Sequence, residues 1–256
     1  MKIPYVNLVD QYKKEKKDLT RIFDIVLKSG NYVGGNFVKK FENSLARYCG
    51  SKYCVGFNSG TDALTLALYL LGVRKGDEVI TTPNSFIAST SVILHLGAKP
   101  VFVDVLDDQN INPDFIEKKI TTKTKVIMPV HLTGRVCQMD KILEIAKKKN
   151  LKIIEDSAQA IGSKYNNKFS GTFGDIGCFS AHPLKNLNAV GDAGYFITNS
   201  KRISDLAKDL RNHGMTNRDI IKNFGYVSRM DNLQAAILNY RLKKLPNVIS
   251  ARRKNA

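Results

Sequence analysis

Seven short runs rich in β-branched and aromatic residues recur along the chain, and helical patterns lie between many of them. The apolar residues in these runs are nearly continuous, which is typical of strands buried on both faces. Strands that alternate with helices predict an α/β fold with a mostly parallel, seven-stranded sheet flanked by helices. The last two runs are separated only by a loop that carries Lys185, so we expect a local variation of the sheet there. The runs are CVGF (54–57), EVITT (78–82), KPVFVDV (99–105), KVIMPVH (125–131), KIIEDS (152–157), IGCFSA (176–181) and GYFITN (194–199).

Helical periodicity is predicted between the strands and at both ends of the chain. The first helix is long and amphipathic, and it precedes a Gly-rich turn, GNYVGG. After the last predicted helix, the charged segment PNVISARRKNA begins another helical pattern. The predicted helices span residues 9–29, 61–71, 86–96, 113–119, 138–149, 201–211 and 230–245.

The composition is that of a globular protein. The chain has 256 residues, of which 43% are hydrophobic, and this is enough to bury a full core. The longest apolar runs, such as IASTSVILHLGA, are too short and too polar to span a bilayer. The N-terminus lacks the apolar region of an export signal. We therefore expect a cytoplasmic protein with no membrane partner.

The cysteines show no pattern that predicts a bound metal or a disulfide. Cys49, Cys54, Cys137 and Cys178 form no CxxC pair and have no neighbouring His at ligand spacing. We expect reduced thiols and no metal site.

The formal net charge of +17 raises the question of nucleic-acid binding. The chain shows no basic stripe interleaved with aromatic residues, no RNP-like strand and no helix-turn-helix spacing. The lysines and arginines instead fall on predicted helix surfaces, which favours a solvated basic surface over a nucleic-acid partner. A benefit for an anionic small substrate stays open.

Two motifs follow predicted strands, where ligands bind in parallel α/β sheets. NSGTDAL opens a helix, and its Gly60 and Thr61 could hold a phosphate at the helix N-terminus; an ordinary capped helix start is the alternative. IIEDSAQA places Asp156 at the rim of the sheet, where a carboxylate could keep a proton on a heterocyclic nitrogen; a capping Asp is the alternative. Gln159 could donate to an oxygen of the same ligand.

Two further motifs complete a set. Phe86 in TTPNSFIAST could lie on an aromatic ring, with a core position as the alternative. Lys185 in GCFSAHPLKNLNAVG lies among small and apolar residues, where a neutral amine could form a Schiff base; a surface-loop lysine is the alternative. Ser180 could add a phosphate contact. A phosphate cup, an acid, an aromatic ring and a lysine are together what a pyridoxal phosphate site requires.

The chain resembles the DegT/DnrJ/EryC1/StrS family of sugar aminotransferases, which are fold-type I pyridoxal phosphate enzymes. The resemblance runs from Ile3 to the last residue. The motifs that carry it are GNYVGGNFVKKFE, NSGTDALTLAL, EVITTPNSFIAST, GAKPVFVDV, IIEDSAQAIGS, GDIGCFSAHPLKNLNAVGDAG and RMDNLQAAIL.

The resemblance implies a role for each of the residues above and for two more. His182, in SAHPLK, matches a position near the substrate, with a structural role as the alternative. Tyr32, in the Gly-rich N-terminal turn, is expected to border the sugar pocket. The implied cofactor contacts are Lys185 (Schiff base), Asp156 (pyridine nitrogen), Gln159 (phenolic oxygen), Phe86 (ring stacking), and Gly60, Thr61 and Ser180 (phosphate).

The resemblance also implies an activity and a partner. Members transfer an amino group, usually from glutamate, to a nucleotide-linked keto-deoxysugar for surface polysaccharide or glycoconjugate synthesis, and they act as homodimers. HPLKNLNAVGDAG is most similar to enzymes that aminate C3, and C4 is the close rival. A family branch that dehydrates C3 has His in place of Lys185, which argues against that branch.

Two departures from the family pattern stand out. Val227, in GYVSRM, occupies a position that is commonly Asn and contacts the phosphate in the neighbouring subunit. Members also carry about a hundred further residues, a usual size for a small domain. We therefore expect a large cofactor-binding domain over residues 1–240, the start of a connection over 241–256, and a C-terminal small domain that is largely missing. A truncated, non-catalytic paralogue that binds the cofactor or a partner subunit is the alternative function.

Overall fold

A computed structural model describes residues 6–255 of the chain. Residues 1–5 and 256, which belong to the two predicted segments 1–240 and 241–256, lie outside the described residues. The helices and strands are α1 (Leu8–Lys28), α2 (Asn36–Cys49), β1 (Tyr53–Phe57), α3 (Gly60–Leu70), β2 (Glu78–Thr81), α4 (Ala88–His95), β3 (Lys99–Phe102), β4 (Thr124–Ile127), α5 (Met139–Lys149), β5 (Lys152–Asp156), β6 (Lys164–Tyr165), β7 (Lys168–Phe169), β8 (Ile176–Ser180), β9 (Gly194–Thr198), α6 (Lys201–Leu210), α7 (Asn232–Leu242) and α8 (Leu245–Asn255).

Seven strands form one sheet in the order β1-β9-β8-β5-β4-β2-β3. Strand β9 is antiparallel to both of its neighbours, and the other pairs are parallel. The prediction of a mostly parallel, seven-stranded α/β sheet is confirmed. A parallel neighbour requires a long crossover, usually helical. Because only a loop joins β8 to β9, β9 runs back beside β8, and this reversal is the expected local variation.

Helix α2 was not predicted, because the Gly-rich turn that precedes it is the dominant local pattern. Its apolar residues recur at spacings of three and four, which places them on one buried face. Gly50 ends the helix in the left-handed conformation, with φ of 71°. The buried residues are Val38, Phe41, Glu42, Leu45, Ala46 and Cys49.

Three smaller differences concern short elements. The helix predicted over 113–119 is two 3₁₀ turns, at 113–115 and 117–119. The helix predicted over 230–245 ends at Leu242, and α8 starts at Leu245. The hairpin of β6 and β7 was not predicted. Its turn residues Asn166 and Asn167 have φ of 47° and 62°, a conformation that asparagine tolerates in two-residue hairpin turns.

Two features are absent from residues 6–255. No helix there has the length and apolar character needed to cross a membrane. Within the same residues, no three His, Cys, Asp or Glu side chains come together as metal ligands could.

The four cysteines are buried, and none is joined in a disulfide. Burial raises the pKa of the Cys49 thiol to about 12, and it also raises the pKa of Cys54 and Cys178. Since the thiolate is the reactive form, we expect a thiol reagent to modify the native protein slowly and to modify all four cysteines after denaturation. The absorbance of a chromophore that the reagent releases measures the rate of modification. Rapid modification of the native protein would contradict this prediction.

Candidate active site

The carboxyl ends of β5 and β8 and the N-terminus of α3 border a cavity of about 390 Å³. Parallel strands bring their ends to one edge of the sheet, so motifs distant in the sequence meet here. Eight of the nine residues predicted for the site line this cavity. They are Gly60, Thr61, Phe86, Asp156, Gln159, Ser180, His182 and Lys185.

Lys185 lies in the loop between β8 and β9, residues 181–193, which we call the lysine loop. Its backbone N–H donates to the carbonyl of His182 at 2.9 Å, which closes a tight turn. The side chain is partly buried in the cavity wall. Burial lowers the pKa of its amine, and the Asp156 carboxylate partly offsets that effect. A neutral amine is therefore more available at moderate pH than on an exposed lysine.

Asp156 ends β5 and is 4% exposed. Its carboxylate accepts hydrogen bonds from the Ser89 hydroxyl at 2.7 Å and from the backbone N–H of Ala158 at 3.1 Å. The bond from Ala158 is a local turn contact, and no helix begins in the described stretch between β5 and β6, so Asp156 is not a helix cap. Ser89, on α4, was missed by the sequence analysis. The only local signal was a hydroxyl on the helix that follows Phe86.

Glu155, the other carboxylate of the EDS motif, points to the opposite face of the strand, as neighbours in a strand do. It is fully buried. One oxygen accepts from the N–H groups of Phe173 and Gly174, each at 2.7 Å. The other accepts from the Gly171 N–H at 2.7 Å and lies 2.9 Å from His131 Nε2. The two adjacent carboxylates therefore have different roles, one at the cavity and one within the fold.

His131 completes this buried cluster. Its Nδ1 accepts from the backbone N–H of Cys137 at 3.2 Å. The tautomer with a single proton on Nε2 satisfies both contacts, because that proton can be donated to Glu155. The backbone N–H of His131 donates to the carbonyl of Asp156 at 3.0 Å, so the cluster lies directly behind the cavity.

The N-terminus of α3 faces the cavity. Ser59 caps it by accepting from the N–H of Asp62 at 3.1 Å, so the capped-start alternative is correct. The first N–H groups of a helix have no intrahelical acceptor and favour an anion, so the two interpretations are compatible. A Cβ on Gly60 would lie 2.9 Å from Cβ of Ser180, and one on Gly194 would lie 2.2 Å from the carbonyl carbon of Ser59. The turn thus packs on β8 and β9 because both positions are glycine.

Gln159 is oriented by a neighbouring loop. Its side-chain oxygen accepts from the backbone N–H of Thr133 at 2.7 Å, which leaves the amide NH₂ available as a donor. Thr133 has φ of 54°, in the left-handed region that few non-glycine residues adopt. This loop was not recognised from the sequence, because its contact with Gln159 depends on the tertiary fold.

The other predicted residues differ in their surroundings. Phe86 is 67% exposed on the cavity wall, so the core alternative is wrong for it. His182 is exposed, and its Nδ1 accepts from the N–H of Leu184 at 3.3 Å. Tyr32 is 54% exposed and is not among the residues that line this cavity, so its role near a sugar stays a prediction.

The model of the DegT/DnrJ/EryC1/StrS aminotransferase family matches residues 13–256. A transaminase from Aneurinibacillus thermoaerophilus, named for dTDP-3-amino-3,6-dideoxy-α-D-galactopyranose, is 44% identical over 99% of this chain. A transaminase from Micromonospora megalomicea, named for dTDP-3-amino-3,4,6-trideoxy-α-D-glucose, is 38% identical over 95%. A protein from Geobacillus stearothermophilus named a pleiotropic regulatory protein is 42% identical over 100%. The chain covers 70%, 66% and 69% of their lengths, respectively.

Solved structures agree with this assignment. DesV from S. venezuelae, in complex with a ketimine intermediate, superposes with a TM-score of 0.93 at 37% identity, over 96% of this chain and 66% of that one. NtdA from Bacillus subtilis, with bound cofactor PMP, gives a TM-score of 0.87 at 37% identity, over 95% and 56%. The resemblance inferred from the motifs is confirmed: the chain belongs to the DegT/DnrJ/EryC1/StrS aminotransferase family.

Proposed function

We propose that this protein transfers an amino group from glutamate to a nucleotide-linked keto-deoxysugar, with pyridoxal phosphate as its cofactor. The observation that carries the proposal is the single cavity that Lys185, Asp156 and the N-terminus of α3 share. A partly buried amine, a buried carboxylate and a helix N-terminus are three separate chemical requirements of that cofactor, and here they face one space.

The residues present fit the cofactor. The free N–H groups at the start of α3 and the hydroxyls of Thr61 and Ser180 would hold the phosphate. The Asp156 carboxylate would hold a proton on the ring nitrogen, and the Ser89 bond keeps it in place. Phe86 would cover one face of the ring, and the free NH₂ of Gln159 would donate to the phenolic oxygen. When bound, pyridoxal phosphate supplies an aldehyde for the lysine and a ring that accepts electron density.

Lys185 would move the proton. Its neutral Nζ would take a proton from the α-carbon of the amino donor and return it to the cofactor side, and the reverse transfer would serve the keto sugar. Such a base must be unprotonated near neutral pH, and the burial that lowers its pKa acts in that direction.

The formation of the covalent link should therefore depend on pH. We expect the absorbance of the linked cofactor to develop with a midpoint below the ordinary lysine value of 10.5, because burial disfavours the charged amine. In Asp156→Asn the midpoint should fall further, because the carboxylate that favours the ammonium form is gone. Lys185→Arg gives the background from other lysines. A midpoint at or above 10.5, or one that Asp156→Asn raises, would contradict this assignment.

C3 is the proposed site of amination. The names of the Aneurinibacillus and Micromonospora transaminases, both for 3-amino sugars, support it. The HPLKNLNAVGDAG motif gave the same preference over C4. The nucleotide, the sugar and the polysaccharide or glycoconjugate pathway are proposed at the level of class only.

Addition of glutamate to the protein loaded with pyridoxal phosphate tests the activity. An aminotransferase converts the absorbance of the linked cofactor to that of the pyridoxamine form, and a keto sugar reverses the change. The non-catalytic paralogue is the second candidate, favoured by the relative named as a pleiotropic regulatory protein. It would bind the cofactor without conversion, so an unchanged spectrum would reject the aminotransferase.

A homodimer is proposed as the working form. In the segment 220–227, large apolar side chains are exposed, and Phe224 is 99% exposed. Exposed apolar clusters are typical of interaction sites. We expect light scattering to give twice the chain mass of 28.6 kDa and Phe224→Asp to shift the protein toward the monomer. Lys222→Asp, in the same segment, controls for added negative charge. A wild-type monomer at micromolar concentration would contradict the proposal.

A further inference from the structure

The side chain of Asn188 closes the part of the lysine loop that contains Lys185. Asn188 is 5% exposed. Its amide NH₂ donates to the carbonyl of Pro183 at 2.9 Å and to the side-chain oxygen of Gln11 at 3.0 Å. Its own oxygen accepts from the NH₂ of Gln11 at 3.2 Å. Pro183 and Asn188 lie on either side of Lys185, so these bonds fix both flanks of the lysine and attach them to α1.

A buried ion pair extends this contact to α7. The Arg241 guanidinium donates to the backbone carbonyls of Asn188 and Ala189 at 2.8 and 3.2 Å. Through Nε and Nη2 it also donates to one carboxylate oxygen of Glu15 at 3.0 and 2.7 Å. Arg241 and Glu15 are each 8% exposed. We call Gln11, Glu15, Asn188 and Arg241 the Asn188 cluster.

The lysine loop is anchored in the core at Ala181, Leu187, Ala189 and Ala193, but the stretch around Lys185 lies between two cavities. A second cavity, of about 550 Å³, lies between α1, α7 and the loop, and Pro183 and residues 188–191 line it. The first cavity lies on the other side, next to His182, Leu184 and Lys185. The loop is thus a wall between two cavities. Around Lys185, directional hydrogen bonds therefore add to the packing of Leu187 and Ala189 in holding the shape of the loop.

From this arrangement we infer that Asn188 is a positioning residue for Lys185, and that Gln11 makes the N-terminal helix α1 part of the active-site support. The inference rests on the proposed function, in which Lys185 must meet the cofactor in one geometry. Catalytic groups need such support from neighbours whose own positions are fixed. Loss of the Asn188 amide would leave the Pro183 carbonyl and the Gln11 side-chain oxygen unpaired and free the loop to sample other conformations.

The first part of the test uses the cofactor-free protein. Hydrogen exchange of the lysine-loop peptide should be about tenfold faster in Asn188→Ala, as expected for loss of a buried hydrogen-bonded group. The pH midpoint for acylation of Lys185, followed by mass spectrometry, should rise, because a loosened loop exposes the amine. Gln11→Ala should give smaller changes in the same directions, since the hydrogen bond from Asn188 to the Pro183 carbonyl remains. Gln11 is only partly buried, so this variant is informative even if Asn188→Ala fails to fold.

Thr198→Val is the matched control. It removes two partly buried hydrogen bonds at the end of β9 away from the cavity: the Thr198 hydroxyl donates to the carbonyl of Asp175 at 2.8 Å and accepts from the N–H of Ser200 at 3.2 Å. It should leave both loop measurements unchanged. The inference is overturned if the hydrogen-exchange rate of the loop and the acylation midpoint of Lys185 in Asn188→Ala and Gln11→Ala equal those of the wild type. It is also overturned if Thr198→Val changes these two quantities as much as Asn188→Ala does.

The second part adds pyridoxal phosphate. The rate of covalent linkage at Lys185 should fall about tenfold in Asn188→Ala, whereas total cofactor bound through the phosphate contacts should change less than twofold. If the wild type forms no link at Lys185, the proposed function fails. The exchange and acylation measurements still decide the role of Asn188 in that case.

Discussion

Borohydride reduction of the protein loaded with pyridoxal phosphate will fix the cofactor on Lys185, and Lys185→Arg will remove that label. The reason is the environment of the amine, which is partly buried, has a lowered pKa and faces the cavity that Asp156 lines. An arginine keeps the charge and much of the length, but its guanidinium stays protonated in proteins. We expect transamination to fall by about 10²- to 10⁴-fold or more, because the general base is lost. The masses of tryptic peptides locate the label.

Lys39→Arg is the matched control for that experiment. Lys39 lies on the exposed face of α2 and outside the cavity lining, so its replacement should leave both label and activity unchanged. Lys185→Arg should retain the melting temperature of the wild type to within a few degrees, since the loop is held by Asn188 and not by the lysine side chain. A label that persists in Lys185→Arg would reject the assignment of this lysine.

Glu155→Gln should destabilise the protein by about 2 to 6 kcal/mol, because it leaves two buried N–H donors without an acceptor, at about 1 to 3 kcal/mol each. Each oxygen of the Glu155 carboxylate accepts from two N–H donors, four donors in all. A glutamine has one oxygen and one NH₂, so one pair of donors must face another donor. If the NH₂ faces His131, the His131 tautomer with its proton on Nδ1 could accept from it at Nε2. In that tautomer, however, the Nδ1 proton would point at the N–H of Cys137. No orientation satisfies all groups, and this is why the expected effect is large.

Urea unfolding followed by circular dichroism measures this effect. Glu144→Gln, on the exposed face of α5, is the control and should change the free energy of unfolding by no more than about 0.5 kcal/mol. A loss below about 1 kcal/mol in Glu155→Gln would show that the fold relaxes around the missing charge. The same variant should also weaken cofactor binding, since the loops carrying Gly171 and His131 border β5 next to Asp156.

The seven strands of the large sheet were predictable because their apolar residues are nearly continuous. Each run of β-branched residues became a strand, and the lack of a helix between β8 and β9 predicted an irregularity there. Helix α2 was missed because the Gly-rich turn before it dominated the local pattern, although the spacing of Phe41 and Leu45 carried a helical signal. The segment 113–119 has a helical composition, but it forms two short 3₁₀ turns.

The site was predictable where its residues directly follow strands. Asp156 ends β5, Gly60 opens the helix after β1 and Lys185 lies in the loop after β8, so the topology alone brings them together. Ser89 could not be identified in this way, because its partner Asp156 is 67 positions away and the contact depends on how α4 packs. The Asn188 cluster joins residues 177 positions apart in the sequence, so no local pattern could reveal it. The roles of the predicted residues stay predictions until the experiments above are done.

The close approach of Gly194 to Ser59 constrains the number of residues in the lysine loop. Strand β9 begins where the turn before α3 leaves no space for a side chain, so the glycine must pair with Phe57 in one register, with the Ser59 backbone against it. One residue inserted into or deleted from positions 181–193 would move a larger side chain into that contact and shift every later residue of β9 to the other face of the sheet. This connection should therefore tolerate substitutions at its exposed positions far better than changes in length.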